Sequence, residues 1–224
     1  MSLETCKKMA GEKGASFVED GMIVGLGTGS TAYYFIEKLT KRVQDGLKIE
    51  AVASSQSSSD QARKGNIPLI DINTLKSIDI YVDGADEIDP QKRMIKGGGG
   101  ALLREKIVAH MSREMIVIVD ESKLVSQLGK KPLPVEIVPF GHAATVHQIE
   151  LLGFKGKLRT HNNSLYITEN GNFLYDIHLN PSQSNPSMII HQITAIPGVV
   201  ETGFFIDLAG RVVIGFQDGK VVVQ

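Results

Sequence analysis

Met115-Ile116-Val117-Ile118-Val119-Asp120 narrows the folds open to this chain more than any other stretch. Its apolar residues run without a polar break, so a strand made from them must be covered on both faces. Buried parallel sheets of α/β domains have that character. The run ends on an acid and hands over to Glu121-Ser122-Lys123-Leu124. Ile78 to Asp83 repeats the pattern and delivers Asp83-Gly84-Ala85-Asp86-Glu87-Ile88-Asp89 at its carboxyl end, where open α/β sheets bind ligands. An acidic solvent loop would also be ordinary there.

The same alternation starts earlier. Leu3, Cys6, Met9, Ala10 and Phe17 recur at near-helical spacing over residues 3–18, which predicts a first helix. Gly21 to Gly25 reads as a buried strand and runs into Gly25-Leu26-Gly27-Thr28-Gly29-Ser30-Thr31, then a helix from Ala32 to about Val43. Strand, glycine turn and helix together bind phosphate through helix N-terminal N–H groups. The dinucleotide fingerprint fails at its third glycine, where Ser30 stands, and the turn has no lysine to make a P-loop. What remains is a small-residue loop in which Thr28, Ser30 and Thr31 offer hydroxyls to a phosphate. On the residues alone, Ser30 or Thr31 serving merely as a helix N-cap is an equal reading. Lys48 to Ala53 predicts a second strand, and Ser54 to Arg63 a serine-rich turn entering a helix closed by Gly65. Ile67 to Ile70 predicts a brief strand. The sum is a doubly wound, mostly parallel, Rossmann-like α/β sheet.

Lys96-Gly97-Gly98-Gly99-Gly100 then breaks the pattern. Each glycine costs about 0.5–1 kcal/mol against alanine in a helix or strand, so the run suits a sharp bend or the close approach of another molecule. A helix is expected from Ala101 to Ser112, with a cation before the turn and free N–H groups behind it. Glu105 shares a helix face with Ala101, Leu102, Val108 and Ala109, while Leu103, Ile107 and Met111 form a second apolar stripe. Two apolar stripes predict a helix wedged between layers. A carboxylate on such a face is partly desolvated, which raises its proton affinity toward that of a useful base. An exposed glutamate paired with Lys or Arg is the commoner case, because Glu is rarely buried.

The character changes at Lys131-Pro132-Leu133-Pro134. A strand over 135–139, a helix over 142–152, and strands over 157–159, 164–168 and 173–177 are expected, with Asn170-Gly171 as a hairpin turn. A helix near Pro186 to Ala195 and a strand from Val199 complete a β-α-β-β-α-β order, a small α+β domain of split-βαβ, ferredoxin-like type. No acid–base cluster stands out in it, and packing or self-association is its expected role. The tail from Arg211 to Gln224 reads as a hairpin about Asp218-Gly219 that returns to the main sheet. The expected domains are therefore 1–131 with 203–224, and 132–202.

Composition excludes several function classes. A formal net charge of −1 provides no bulk field to draw nucleic acid or a membrane. The single cysteine, Cys6, rules out an intramolecular disulfide and fits a reducing compartment. No apolar run approaches the roughly 18 residues of a membrane span, and the first eight residues carry no apolar signal core, so a cytoplasmic location is expected. The six histidines show no metal-ligand spacing and no Cys-x-x-Cys accompanies them, so no metal is expected.

The motifs taken together resemble those of the type A ribose-5-phosphate isomerases. The resemblance rests on Gly-Leu-Gly-Thr-Gly-Ser-Thr-Ala at 25–32, Asp-Gly-Ala-Asp-Glu-Ile at 83–88, Lys-Gly-Gly-Gly at 96–99 and Arg-Glu-Lys at 104–106. Asp-Glu-Ser-Lys at 120–123, Leu-Pro-Val-Glu at 133–136 and Pro-Gly-Val-Val-Glu-Thr-Gly at 197–203 extend it over nearly the whole chain. Gly100 and Leu103 depart from it, standing where the family pattern has alanine and often threonine. The resemblance implies interconversion of ribose 5-phosphate and ribulose 5-phosphate in the pentose phosphate pathway, without cofactor or metal, by a homo-oligomer, commonly a homodimer, with the smaller domain at its contacts. It implies that Glu105 is the base shuttling a proton between C1 and C2. Asp83 and Asp86 would handle hydroxyl protons and ring opening, and Lys96 would face the enediolate oxygen. Thr28, Gly29, Ser30, Thr31 and Lys123, with Lys7 beside them, would hold the phosphate, and Gly84, Ala85, Gly97, Gly98 and Gly99 would line the substrate. The rivals are a nucleotide-binding oxidoreductase, against which the missing third glycine counts, and a non-catalytic sugar-phosphate sensing module, which would need no base.

Overall fold

Short apolar runs become strands and one-sided stretches become helices, in the alternation the sequence predicts. The structure, a computed structural model, describes residues 1–180 and 185–224. The chain opens with α1 (Leu3–Ala15), β1 (Ile23–Leu26), α2 (Ser30–Gln44), β2 (Glu50–Ala53) and α3 (Gln56–Lys64). β3 (Ile80–Asp83), β4 (Glu87–Ile88), β5 (Met94–Ile95), α4 (Leu102–Met111) and β6 (Met115–Asp120) follow. Next come β7 (Leu133–Ile137), α5 (His142–Leu151), β8 (Gly156–Leu158), β9 (Thr160–His161), β10 (Ser164–Leu165) and β11 (Phe173–Ile177). α6 (Pro186–Thr194), β12 (Val199–Thr202), β13 (Phe204–Phe205), β14 (Ala209–Gly215) and β15 (Val221–Val223) close it.

Packing divides these elements into two units. The first comprises residues 1–85, 104–124 and 208–224. Its sheet has the order β15-β14-β6-β3-β1-β2. All neighbours are parallel except β15, which turns back along β14 to close the edge. Every residue of β6 is buried, as its unbroken apolar run requires. Phe35, Ile36 and Leu39 of α2 fill a core against Val24, Val82, Ile116 and Ile118 of the strands. The chain goes from β1 to β2 on one side and later to β3 on the other. That reversal is a topological switch point, and the carboxyl ends of β1 and β3 are where such sheets take ligands.

The second unit comprises residues 86–103 and 125–207. Its antiparallel sheet runs β12-β7-β11-β8, the strand order of a split-βαβ fold. Ile149 of α5 and Ile189 and Ile193 of α6 bury against Val135, Ile137, Tyr175 and Ile177. A second sheet of very short strands has the order β13-β5-β4. Asn162 and Asn163, both left-handed, turn β9 back onto β10. Glu136 is fully buried in β7. Its Oε1 accepts from Thr168 Oγ1 at 3.0 Å, Asn170 Nδ2 at 3.2 Å and Asn172 Nδ2 at 2.9 Å, which holds the expected Asn-Gly turn to the sheet.

Several expectations are corrected. Residues 67–70 form no strand: Leu69 makes a single bridge to Ala51, and Pro68 has no N–H with which to extend a ladder. Gly65 caps α3 with φ −84, and the left-handed residue is Asn66. Glycine stands at 65 because a Cβ there would collide with Thr40. The second apolar stripe of α4 is not buried, since Ile107 is 46% exposed. Residues 86–103, 125–131 and 203–207 group with the second unit, because β13 pairs with β5 and Glu87 accepts from the backbone N–H groups of Gly129 and Lys131. Among the described residues no helix is long and apolar enough to cross a membrane.

Replacing Glu136 with leucine removes the acceptor of the buried Thr168 hydroxyl and of the half-buried Asn172 amide, each costing about 1–3 kcal/mol when unsatisfied. Glu136→Leu is therefore expected to cost about 2 kcal/mol or more in urea denaturation. An unchanged midpoint would show that the turn does not depend on the carboxylate.

Candidate active site

At the switch point the two loops of the first unit are tied through Asp83, which is wholly buried at the end of β3. Its Oδ1 accepts from the backbone N–H of Thr28 at 2.9 Å and of Gly84 at 2.7 Å. Its Oδ2 accepts a short hydrogen bond from the Tyr81 hydroxyl. Gly27 donates its N–H to Val82 O at 2.9 Å, and a Cβ at Gly27 would strike the Asp83 carboxylate. Only glycine permits that approach.

Gly29 is the N-cap of α2, with φ 106 and no side-chain cap. Ser30 and Thr31 therefore open the first helical turn, and neither is its cap. Thr28 differs from the expectation of a phosphate-donating hydroxyl. Its Oγ1 donates to Ser55 Oγ at 2.8 Å and lies 2.9 Å from Ser54 Oγ. Ser54 and Ser58 in turn donate to Leu26 O and Gly27 O, so the serine-rich segment anchors the loop after β1. The signal was in the sequence as the serine run, read there as a turn alone.

Glu105 in α4 is 4% exposed, with Ala101, Leu102, Val108 and Ala109 buried on the same face. Val108 and the Tyr81 ring both crowd the side of Gly25 that lacks a Cβ. Burial first, then the carboxylates of Asp83 and Glu105, hold the Tyr81 phenol well above its usual pKa, so it remains a donor. Tyr81 was not singled out by sequence reasoning, since a tyrosine in a buried strand reads as core.

Lys123 ends a single 3₁₀ turn after β6, and Asp120 caps that turn by accepting from Ser122 N–H at 2.9 Å. Lys7 lies on α1 with its Nζ 3.2 Å from Glu4 Oε2. A groove of about 950 Å³ along α2 and α3 includes Gly29 and Ser30 but none of the four residues expected to carry the chemistry.

The second unit carries the other motif residues: the chain passes between units after Ala85 and after Leu103. Asp86, half-buried, accepts from Gly98 N–H at 2.7 Å through Oδ2. Lys96 is 3% exposed, its Nζ 5.5 Å from the Phe205 ring centroid, and its N–H donates to Gly203 O at 2.9 Å. Gly97 and Gly100 are left-handed and enclose a tight turn in which Gly100 N–H donates to Gly97 O at 3.0 Å. Gly100, a departure from the family pattern, has a local cause: a Cβ there would collide with the Tyr166 hydroxyl. Among the described residues no group of three or more His, Cys, Asp or Glu could hold a metal ion.

The family model for ribose 5-phosphate isomerase A (phosphoriboisomerase A) matches residues 50–219. The ribose-5-phosphate isomerase A of Protochlamydia amoebophila (strain UWE25) is 52% identical over 218 residues, 97% of this chain and 94% of the relative. The chain belongs to the ribose-5-phosphate isomerase A family. The solved ribose 5-phosphate isomerase of Plasmodium falciparum is similar at TM-score 0.95 and 35% identity, covering 99% of this chain and 98% of that one. A D-ribose-5-phosphate isomerase solved in complex with phospho-erythronic acid has TM-score 0.94 and 38% identity, covering 100% and 99% of the two chains. The ribose-5-phosphate isomerase A relationship thus spans both units, including the glycine motif at 25–32 that the family model leaves outside its match.

A phenol whose pKa is raised on folding stabilises the native state below its ordinary value and loses that contribution as pH climbs above it. Wild-type stability is therefore expected to fall as pH rises past 10.0, the ordinary value for tyrosine, and to fall less steeply in Tyr81→Phe. Urea midpoints measured from pH 9 to 11 check this, and parallel curves would count against it.

Proposed function

We propose that this chain interconverts D-ribose 5-phosphate and D-ribulose 5-phosphate by proton transfer through an enediolate, a step of the non-oxidative pentose phosphate pathway. The observation that carries the mechanism is the Glu105 carboxylate, 4% exposed on an otherwise apolar helix face. Glu105 takes the proton from C2 of the open-chain aldose. The electron pair left behind forms the C1–C2 double bond, and charge moves to O1. Transfer of the O2 hydroxyl proton to O1 through Asp86, with return of the carbon-bound proton from Glu105 to C1, gives the ketose, and one carboxylate serves both carbons because they are adjacent.

Lys96 provides the positive charge for the enediolate oxygen, and one such fixed group is typically worth about 10²–10³ in rate. Asp86, the less buried of the two aspartates, is the better placed to exchange protons with sugar hydroxyls. Asp83 has both oxygens engaged by Thr28, Gly84 and Tyr81, which supports a role in fixing the loops. The open first turn of α2 at Gly29, Ser30 and Thr31, with Lys123 and Lys7, is assigned to the phosphate, whose binding orients the reacting carbons. The relative's ligand agrees with this chemistry: a phosphorylated four-carbon acid sets two carboxylate oxygens in a plane, as an enediolate does.

The first unit is assigned the base and the phosphate, and the second the cation and self-association. Phe140 is 93% exposed, and Leu151 and Met188 are exposed on the same unit, which supports a homodimer whose second copy covers such side chains. A cytoplasmic location fits the single buried cysteine, Cys6.

Glu105→Gln is expected to lower kcat by about 10³-fold or more while phospho-erythronic acid still binds. Near-wild-type turnover would remove Glu105 from its role. Lys123→Ala should chiefly raise KM for ribose 5-phosphate, by about tenfold, as loss of a charge-assisted contact worth roughly 1.4 kcal/mol does. An unchanged KM would refute the phosphate contact.

A further inference from the structure

Arg159 connects a largely buried ion pair to the glycine turn, and the chemistry above makes no use of it. It stands just beyond β8, where its N–H donates to Leu174 O at 2.8 Å. Asp176 of β11 grips the guanidinium at two points, Nε to Oδ2 at 2.8 Å and Nη2 to Oδ1 at 2.5 Å. Both side chains are mostly removed from water, at 16% and 21% exposure. The remaining nitrogen, Nη1, donates to Gly97 O at 2.9 Å and to Gly98 O at 3.1 Å.

The planar trans peptide turns these contacts into an orientation. Its C=O and N–H point in opposite directions. With the Gly97 carbonyl drawn to Arg159, the Gly98 N–H of the same peptide faces away, and there it donates to Asp86 Oδ2 at 2.7 Å. The Gly98 carbonyl is drawn to the same guanidinium, so the Gly99 N–H also turns from Arg159. Two successive amides facing one way form a concavity suited to a carboxylate or a developing oxyanion. Glycines adopt many backbone conformations at little cost, so these peptides would flip without an anchor.

We propose that Arg159, held by Asp176, is a positioning residue for the isomerisation: it locks the Gly97–Gly98 peptide so that Asp86 is fixed for the substrate. The proposal rests on the isomerase reading in giving Asp86 its chemistry. Lysine is a poor substitute, because a single ammonium cannot hold the aspartate at two points and both carbonyls at once.

The test is Arg159→Lys beside Asp86→Asn and the double variant, with kinetics and the backbone amide NMR spectrum of each. Arg159→Lys is expected to lower kcat about tenfold or more, change KM less than threefold, and shift the Gly98 amide resonance. The double variant should lose little beyond the worse single one, since both act through one peptide. Wild-type kcat in Arg159→Lys, or losses that multiply in the double variant, would overturn the proposal. Should wild-type protein fail to isomerise ribose 5-phosphate, the functional reading falls and with it the kinetic role; an altered Gly98 amide would then show only that the lock exists. Should Arg159→Lys not fold, Asp176→Asn is judged by the same kcat and amide criteria.

Discussion

A carboxylate sealed from water must find donors, and Asp83 finds them in its own strand and on two loops that the sheet brings together. Left unpaired, a buried ion costs several kcal/mol. Thr28 N–H, Gly84 N–H and the Tyr81 hydroxyl meet that demand, and in doing so they couple the end of β3 to the loop after β1. The neighbouring glycines follow from this tie for different reasons. Gly27 lacks a side chain because the carboxylate occupies its place, whereas Gly29 is needed for a φ of 106 at the start of α2. One requires space and the other conformation.

The same device recurs through the chain. Asp86 takes the Gly98 amide, Glu87 the amides of Gly129 and Lys131, Asp89 those of Gln91 and Arg93, and Asp120 that of Ser122. A backbone donor is already ordered by the fold, so only the acid's own side chain loses rotamer freedom. A lysine partner would lose up to about 2 kcal/mol of rotamer freedom. Charge-assisted bonds to amides are also short and directional. Acids fixed in this way keep their positions with the tolerance of the backbone itself, and reactions between oriented groups demand that tolerance.

Long elements were legible because hydrophobic period fixes them: β6 has no polar break, and α2 puts Phe35, Ile36 and Leu39 on one side. The short sheet β13-β5-β4 was not, since two-residue strands carry no period and the pairing of β13 with β5 joins residues about a hundred positions apart. Glu105 was legible on its apolar face. The exposure of Ile107 was not, because a helical wheel shows stripes without showing what covers them. Tyr81 and Arg159 escaped for a common reason. Each is an ordinary residue in a strand or beside one, and its role lies in a partner that only folding supplies. The hydroxyl of Thr28 looked free for a ligand until Ser54, Ser55 and Ser58 were seen to surround it.

Gly97 to Gly100 show how such partners settle the energetics. Four glycines surrender roughly 2–4 kcal/mol of conformational freedom more than alanines would. Two bonds from Arg159 and one to Asp86 are each charge-assisted and worth about 1.5 kcal/mol where partly exposed. The sums are comparable, so the turn is ordered only with its polar anchors in place. Tyr166 limits it from another side, its hydroxyl occupying the space of a Cβ at Gly100. Position 100 can therefore accept alanine only if the ring at 166 moves, and the family departure at Gly100 follows from a tyrosine 66 positions away.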